Sequence, residues 1–187
     1  MTRIAIIDGH PGYVHALADA YAAGAEATIH EVRRIELATL DFPLLRSARE
    51  WRETDPVSAI RNAQKDIRWA DHLLILYPLW LGDMPALLKA FLEQVMRPGF
   101  AIDEGSAGAE AKLLSGRSAR IIVTMGMPAP FYRFFYRAHS LKSLDRNILR
   151  AVGFDSARYS IIGSVEASAP AREAWLRSVA LLGDAAR

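Results

Sequence analysis

The sequence predicts a doubly wound α/β domain, and three observations predict it. Apolar runs rich in β-branched residues recur at Arg3–Asp8, His72–Tyr77, Ala119–Thr124 and Arg158–Val165. Runs of this length suit strands buried on both faces of a parallel sheet. Between the runs lie segments whose apolar residues return at helical spacing, and strand–helix alternation belongs to a sheet covered by helices on both sides. Gly- and Pro-rich turns follow three of the runs, at the carboxyl ends where open α/β sheets bind their ligands.

Taken in order, Arg3–Asp8 ends in Gly9-His10-Pro11-Gly12, and Leu17, Ala20, Tyr21 and Gly24 then share one helical face. Ala27–Leu37 alternates loosely through Ile29, Val32 and Ile35 and reads as the second strand. Thr39–Thr54 contains Pro43 and has no clean period, so a long loop with at most a helical turn is expected. Asp55-Pro56 opens a helix with Val57, Ile60 and Ile67 facing the core. The uncharged run His72–Tyr77 follows, then the turn Pro78–Asp83, where a Trp and two Leu make a seat for a flat ring. Asp83 is expected to cap the next helix, with Pro85 in its first turn and Leu87, Leu88, Phe91, Leu92 and Val95 at helical spacing. Gly99–Gly116 reads as a polar surface connection. After Ala119–Thr124, the prolines of Met125-Gly126-Met127-Pro128-Ala129-Pro130 argue against regular structure, and a dense aromatic stretch, Phe131–Tyr136, follows. A helix marked by Leu141, Leu144, Ile148, Leu149 and Val152 ends at Gly153, and the last helix begins near Pro170.

At 187 residues the chain is read as a single domain, 1–187, of ordinary composition, 51% hydrophobic and 24% charged. A formal charge of +2 gives no argument for nucleic acid or an anionic membrane. The absence of cysteine removes a disulfide framework, a thiol nucleophile and any Cys-ligated metal. No stretch approaches the length of a membrane span, and a cytoplasmic protein is expected. No histidine pair has metal-ligand spacing, so no metal site is expected, and the Rossmann, P-loop and nucleophile-elbow motifs are absent. His30 and His72 read as surface or strand-end residues.

The segment PLWLGDMPALLKAFLEQVMRPGFA resembles a motif of the flavodoxin-like NAD(P)H:quinone oxidoreductases, as do Gly9-His10-Pro11 and the Thr and Gly of Thr124-Met125-Gly126-Met127. The likeness departs from the pattern in three places. Trp80 stands one position early with Leu81 in the usual place, Asp8 replaces an Asn, and the loop before Leu17 is shortened and lacks its usual Ser. The resemblance implies a flavodoxin-like three-layer sandwich with strand order 2-1-3-4-5. It implies a flavin cofactor, FAD in preference to FMN, with NAD(P)H as co-substrate and a quinone or similar flat small molecule as acceptor, the two sharing one site in ping-pong turnover. Cofactor binding then falls to His10, Pro11 and Gly12, to Pro78, Leu79, Trp80 and Leu81, and to Thr124, Met125, Gly126 and Met127. Tyr132 and His139 stand where the family places two residues that stabilise charge on the reduced flavin. A homodimer is also implied. Structural readings stand beside these: Trp80 as a helix cover, Tyr136 as part of a packed or interface cluster, His139 as a helix-start residue. The alternative reading of the whole is a regulatory or binding protein of this fold, such as an ancillary subunit of a transporter, with little turnover.

Overall fold

The structure, a computed structural model, describes residues 1–104 and 110–186. Its central sheet is built from β1 (Arg3–Asp8), β2 (Glu31–Glu36) and β3 (His72–Pro78), joined later in the chain by β6 (Ser118–Thr124) and β7 (Arg158–Ile162). All neighbours are parallel, in the order β2-β1-β3-β6-β7, which is the expected 2-1-3-4-5 arrangement. The two intervening short strands, β4 (Ile102–Glu104) and β5 (Glu110–Lys112), pair antiparallel as a separate hairpin. The connection read as Gly99–Gly116 therefore carries strands of its own, too short for any sequence period to reveal; its residues 105–109 lie outside the described residues.

Alternate residues of the strands feed two cores. On one face Ile4, Ile6, Leu74, Leu76 and Ile122 pack against Leu17 and Tyr21 of α1 (Tyr13–Glu26) and Val179 of α8 (Ala169–Asp184). α1 and α8 touch backbone to backbone: a Cβ on Gly24 would fall 2.0 Å from the Ala180 carbonyl oxygen. On the other face Ile7, Ile75, Tyr77, Ile121 and Val123 meet α3 (Ser58–Trp69), α4 (Ala86–Val95) and the helical stretch from His139 to Val152. That stretch runs as α6 (His139–Ser143), a wider π turn over Leu144–Leu149 and α7 (Arg150–Val152), and stops at Gly153, whose φ of 116° few other residues tolerate.

Several local expectations shift. Within the long 39–54 loop a six-residue helix, α2 (Ala48–Glu53), is nucleated by Ser47, whose Oγ accepts from the Glu50 backbone N–H at 3.1 Å. The Ser47-x-x-Glu50 capping signature was legible in the sequence. Asp83 does not cap α4; its Oδ1 accepts from the Met84 N–H, and Pro85 holds the cap position. The prolines after β6 do not exclude helix: Pro128 and Pro130 start α5 (Ala129–Phe134), where a missing N–H costs nothing. Ile29 lies outside β2 and is exposed. His72 heads β3 but is 2% exposed, its Nδ1 2.7 Å from Ser118 Oγ, so it is no surface residue. Among the described residues no helix is long and apolar enough to cross a membrane.

Candidate functional site

The chain turns from β1 to β2 on one side and from β3 towards β6 and β7 on the other. The strand order therefore reverses between β1 and β3, and a crevice must open at their carboxyl ends. Register aligns these ends, with Asp8 beside Leu76 and Pro78 beside Thr124.

The first loop is short because Gly9 folds directly over β3. Its N–H donates to the Leu76 carbonyl at 2.9 Å, and a Cβ there would sit 2.6 Å from that oxygen, so only glycine allows the approach. Gly12, at φ 84°, precedes α1 without any side-chain cap. The first bond of that helix runs from the Ala16 N–H to the Gly12 carbonyl, which leaves the N–H groups from Gly12 to His15 without partners among the described residues. His10 Nδ1 donates to the Pro11 carbonyl at 2.7 Å, and its ring meets Trp80 edge-on with centroids 4.7 Å apart. His10 and Trp80 thus face each other across the switch point.

The second loop is a tight turn in which the backbones of Trp80 and Asp83 exchange hydrogen bonds at 2.8 and 2.9 Å. Leu81 and Gly82 between them both have positive φ, 49° and 84°, the pairing of a type I′ turn. A leucine in that region is strained, and strain of this kind concentrates at ligand sites. Leu81 is fully exposed, Trp80 is 52% exposed, and the Leu81 and Gly82 N–H groups have no partners among the described residues. Leu79 ties this loop to the third, donating to the Thr124 carbonyl at 2.7 Å.

In the third loop the sheet takes part of what was expected to meet a ligand. Thr124 and Met125 are buried, and the Met125 N–H donates to the Ile162 carbonyl at 2.9 Å. Both thus lie behind the loop surface, whereas Gly126 and Met127 keep unpartnered N–H groups among the described residues, with open space around Gly126.

Tyr132 and His139 separate. Tyr132 has no exposed surface, and its hydroxyl lies 2.5 Å from Ser140 Oγ, inside the protein and not at the loop surface where the expected ring contact would lie. The nearby Tyr77 hydroxyl is also buried, and burial pushes its ionisation well above the usual phenol range. His139 is exposed, presented by the left-handed pair Arg137 and Ala138, and its Cε1–Nε2 edge faces Gly82 of the second loop. Its Nδ1 donates to the Tyr136 carbonyl at 3.2 Å, so Nε2 can donate only when the ring is protonated.

Beneath the first loop stands a charge network that sequence reading missed. Buried Asp8 lies 2.5 Å from His15 Nδ1 and 3.5 Å from Arg34 Nη2, and Arg34 also binds Asp19 at 2.5 Å. The signal available was Asp8 in place of the expected Asn; its partners come from α1 and β2 and share no local spacing with it.

An open parallel sheet with its ligand loops at the β1/β3 switch point defines a doubly wound protein of the flavodoxin type. The chain belongs to the flavodoxin-like fold family, whose profile matches residues 2–180. It is 26% identical over 168 residues to an uncharacterized NAD(P)H oxidoreductase of Haemophilus influenzae, a match covering 86% of this chain and 83% of that protein. An NAD(P)H:quinone oxidoreductase from Methanothermobacter marburgensis superposes with TM-score 0.81 at 20% identity, covering 100% and 99% of the two chains. An FMN-dependent NADH-azoreductase from Bacillus anthracis, in complex with FMN, superposes with TM-score 0.75 at 15% identity over 100% and 99%. Against other curated relatives the chain matches about a third of their length.

Proposed function

We propose that this chain is a flavin-dependent NAD(P)H oxidoreductase that delivers electrons to a quinone or another flat, electron-poor acceptor. One observation carries the reading: three groups of unpartnered backbone N–H donors, Gly12 to His15, Leu81 with Gly82, and Gly126 with Met127, converge on the carboxyl ends of β1, β3 and β6 among the described residues. That donor set fits a flavin. The α1 start meets a phosphate, and the donors beside β3 and β6 meet the polar edge of the ring, where they favour the charge gained on reduction. Bound flavin would supply the two-electron chemistry, accepting hydride from NAD(P)H and passing it on.

The chain's own residues bind and tune. Trp80 and Leu81 offer an apolar face, Pro78 and Leu79 fix the turn behind it, and His10 and Pro11 shape the first loop. His139, when protonated, offers Nε2–H towards that ring, and Tyr132 positions it by locking the adjacent Ser140. The preference for FAD finds no support: FMN is the flavin named for the azoreductase neighbour. A shared face for NAD(P)H and acceptor requires ping-pong kinetics. Phe134 and Phe135, 76% and 70% exposed, add apolar surface suited to a homodimer contact; light scattering at low micromolar concentration reads the mass, and a fully active monomer removes that part.

The test is titration of purified protein with FMN by fluorescence quenching, then anaerobic reduction by NADPH and reoxidation by a quinone. Saturable binding, bleaching and parallel double-reciprocal lines are expected. Intersecting lines overturn the shared site; no FMN binding overturns the enzyme in favour of a binding protein.

A further inference from the structure

Away from the loops at the carboxyl ends, a cavity of about 360 Å³ opens beside α3, roofed by Trp51 to Pro56 and floored by Arg97 to Phe100. Its volume falls within the small-ligand range. Five cationic side chains line it, Arg52, Arg61, Lys65, Arg68 and Arg97, against two carboxylates, Glu53 and Asp55. One of the two carboxylates is already engaged, since Glu53 pairs with Arg49 at 3.1 Å.

A basic helix face standing in water is the ordinary explanation for such a cluster, and Arg61, Lys65 and Arg68 do share one face of α3. Two observations go beyond it. The only acid of α3, Asp66, is turned away and bound to Arg33 on β2 at 2.9 Å. At the back of the cavity Arg97 is 5% exposed yet hydrogen-bonds only to neutral oxygens, those of Thr54 and Gln94; Asp55 and Glu50 act on its charge from beyond ion-pair distance, and its buried Nε has no partner among the described residues. A guanidinium taken out of water ordinarily has an anion beside it. Among the described residues no carboxylate lies within ion-pair distance of Arg61, Lys65, Arg68 or Arg97.

We propose that this cavity is a binding site for a small phosphomonoester, its phosphate held by Arg97 with Arg61, Lys65 and Arg68, and its organic part lying against Trp51. Planar guanidinium forks match phosphate oxygens two at a time, and a dianion neutralises the cluster where a monoanion would leave most of it uncompensated. The site is independent of the flavin reading, because no residue of the flavin loops lines it.

The experiment is calorimetric titration of the purified protein, with no flavin added, with inorganic phosphate and with AMP at about 0.15 M salt, where exposed charges are screened beyond roughly 8 Å. Saturable binding at one site per chain is expected, tighter for AMP than for phosphate. Arg97→Met risks misfolding, so the variant is the exposed double substitution Arg61→Glu with Lys65→Glu. It should weaken AMP at least tenfold and leave the thermal midpoint unaltered. Absent binding, or binding equal in the variant, would each overturn the assignment.

Discussion

His72 makes folding stability depend on acid in a window where most proteins are still steady. It is buried at the amino end of β3, and burial first, then the charges of Arg120 and Arg158, pushes its ionisation down from 6.5 to about 4. In the unfolded chain the imidazole takes its proton near pH 6.5, while the folded protein refuses it until about pH 4. Between those values the unfolded state binds more protons, so stability is complete above the upper limit and falls as pH drops. At about 1.4 kcal/mol per pH unit the loss is about 2 kcal/mol by pH 5 and about 3 kcal/mol by pH 4, where it levels off. His72→Gln keeps a polar partner for Ser118 Oγ but does not titrate. Urea unfolding of both proteins at pH 7 and pH 5 should find wild type losing about 2 kcal/mol more than the variant. Parallel losses, or a proton NMR titration of His72 at the ordinary histidine value, would refute the reasoning.

Gly24→Ala gains helix propensity of about 1 kcal/mol, yet its new Cβ meets the Ala180 carbonyl at 2.0 Å. Overpacking wins, and a net loss of about 2 kcal/mol should lower Tm by about 4–8 °C in calorimetry. Tyr132→Phe strands Ser140 Oγ and should cost about 1–3 kcal/mol in urea unfolding. The same change should slow flavin reduction less than His139→Gln does, and the reverse ranking in rapid-mixing experiments would return Tyr132 to the ligand. His139→Gln removes the imidazole edge facing Gly82 of the second loop, and reduction by NADPH should slow about a hundredfold. Because the first loop offers an anion only backbone donors and His15, one or two hydrogen bonds of about 1.5–3 kcal/mol each are missing. FMN should bind roughly tenfold to several thousandfold more weakly than a nanomolar cofactor, and a nanomolar dissociation constant by fluorescence titration would contradict this.

Periodicity and punctuation are local, and what they encode was legible in the chain itself. The apolar runs at Ile4–Ile7 and Leu73–Tyr77 identify two inner strands, because a strand covered on both faces has little place for charge, and Ala119–Val123 identifies a third in spite of Arg120, which is buried with Nη1 donating to Ser160 Oγ. Gly153 ends its helix and Pro85 begins one for reasons contained in their own backbones. The positions of His10, Trp80 and Gly126 at strand ends followed from the same reading, as did the strand order once the motifs were matched. Tertiary structure alone decided which groups stand open at the strand ends. Met125 lost its N–H to Ile162, 37 positions away in the chain but adjacent in the sheet. Tyr132 lost its hydroxyl to Ser140 because the chain reverses through Arg137 and Ala138 and folds it inward. Asp8 found His15 and Arg34 only when β1, α1 and β2 had assembled, and Arg97 was left facing neutral oxygens in a cavity that three separate segments enclose. Hydrogen-bond partners and burial depend on contacts between residues far apart in sequence, and no local pattern records which of those contacts will form.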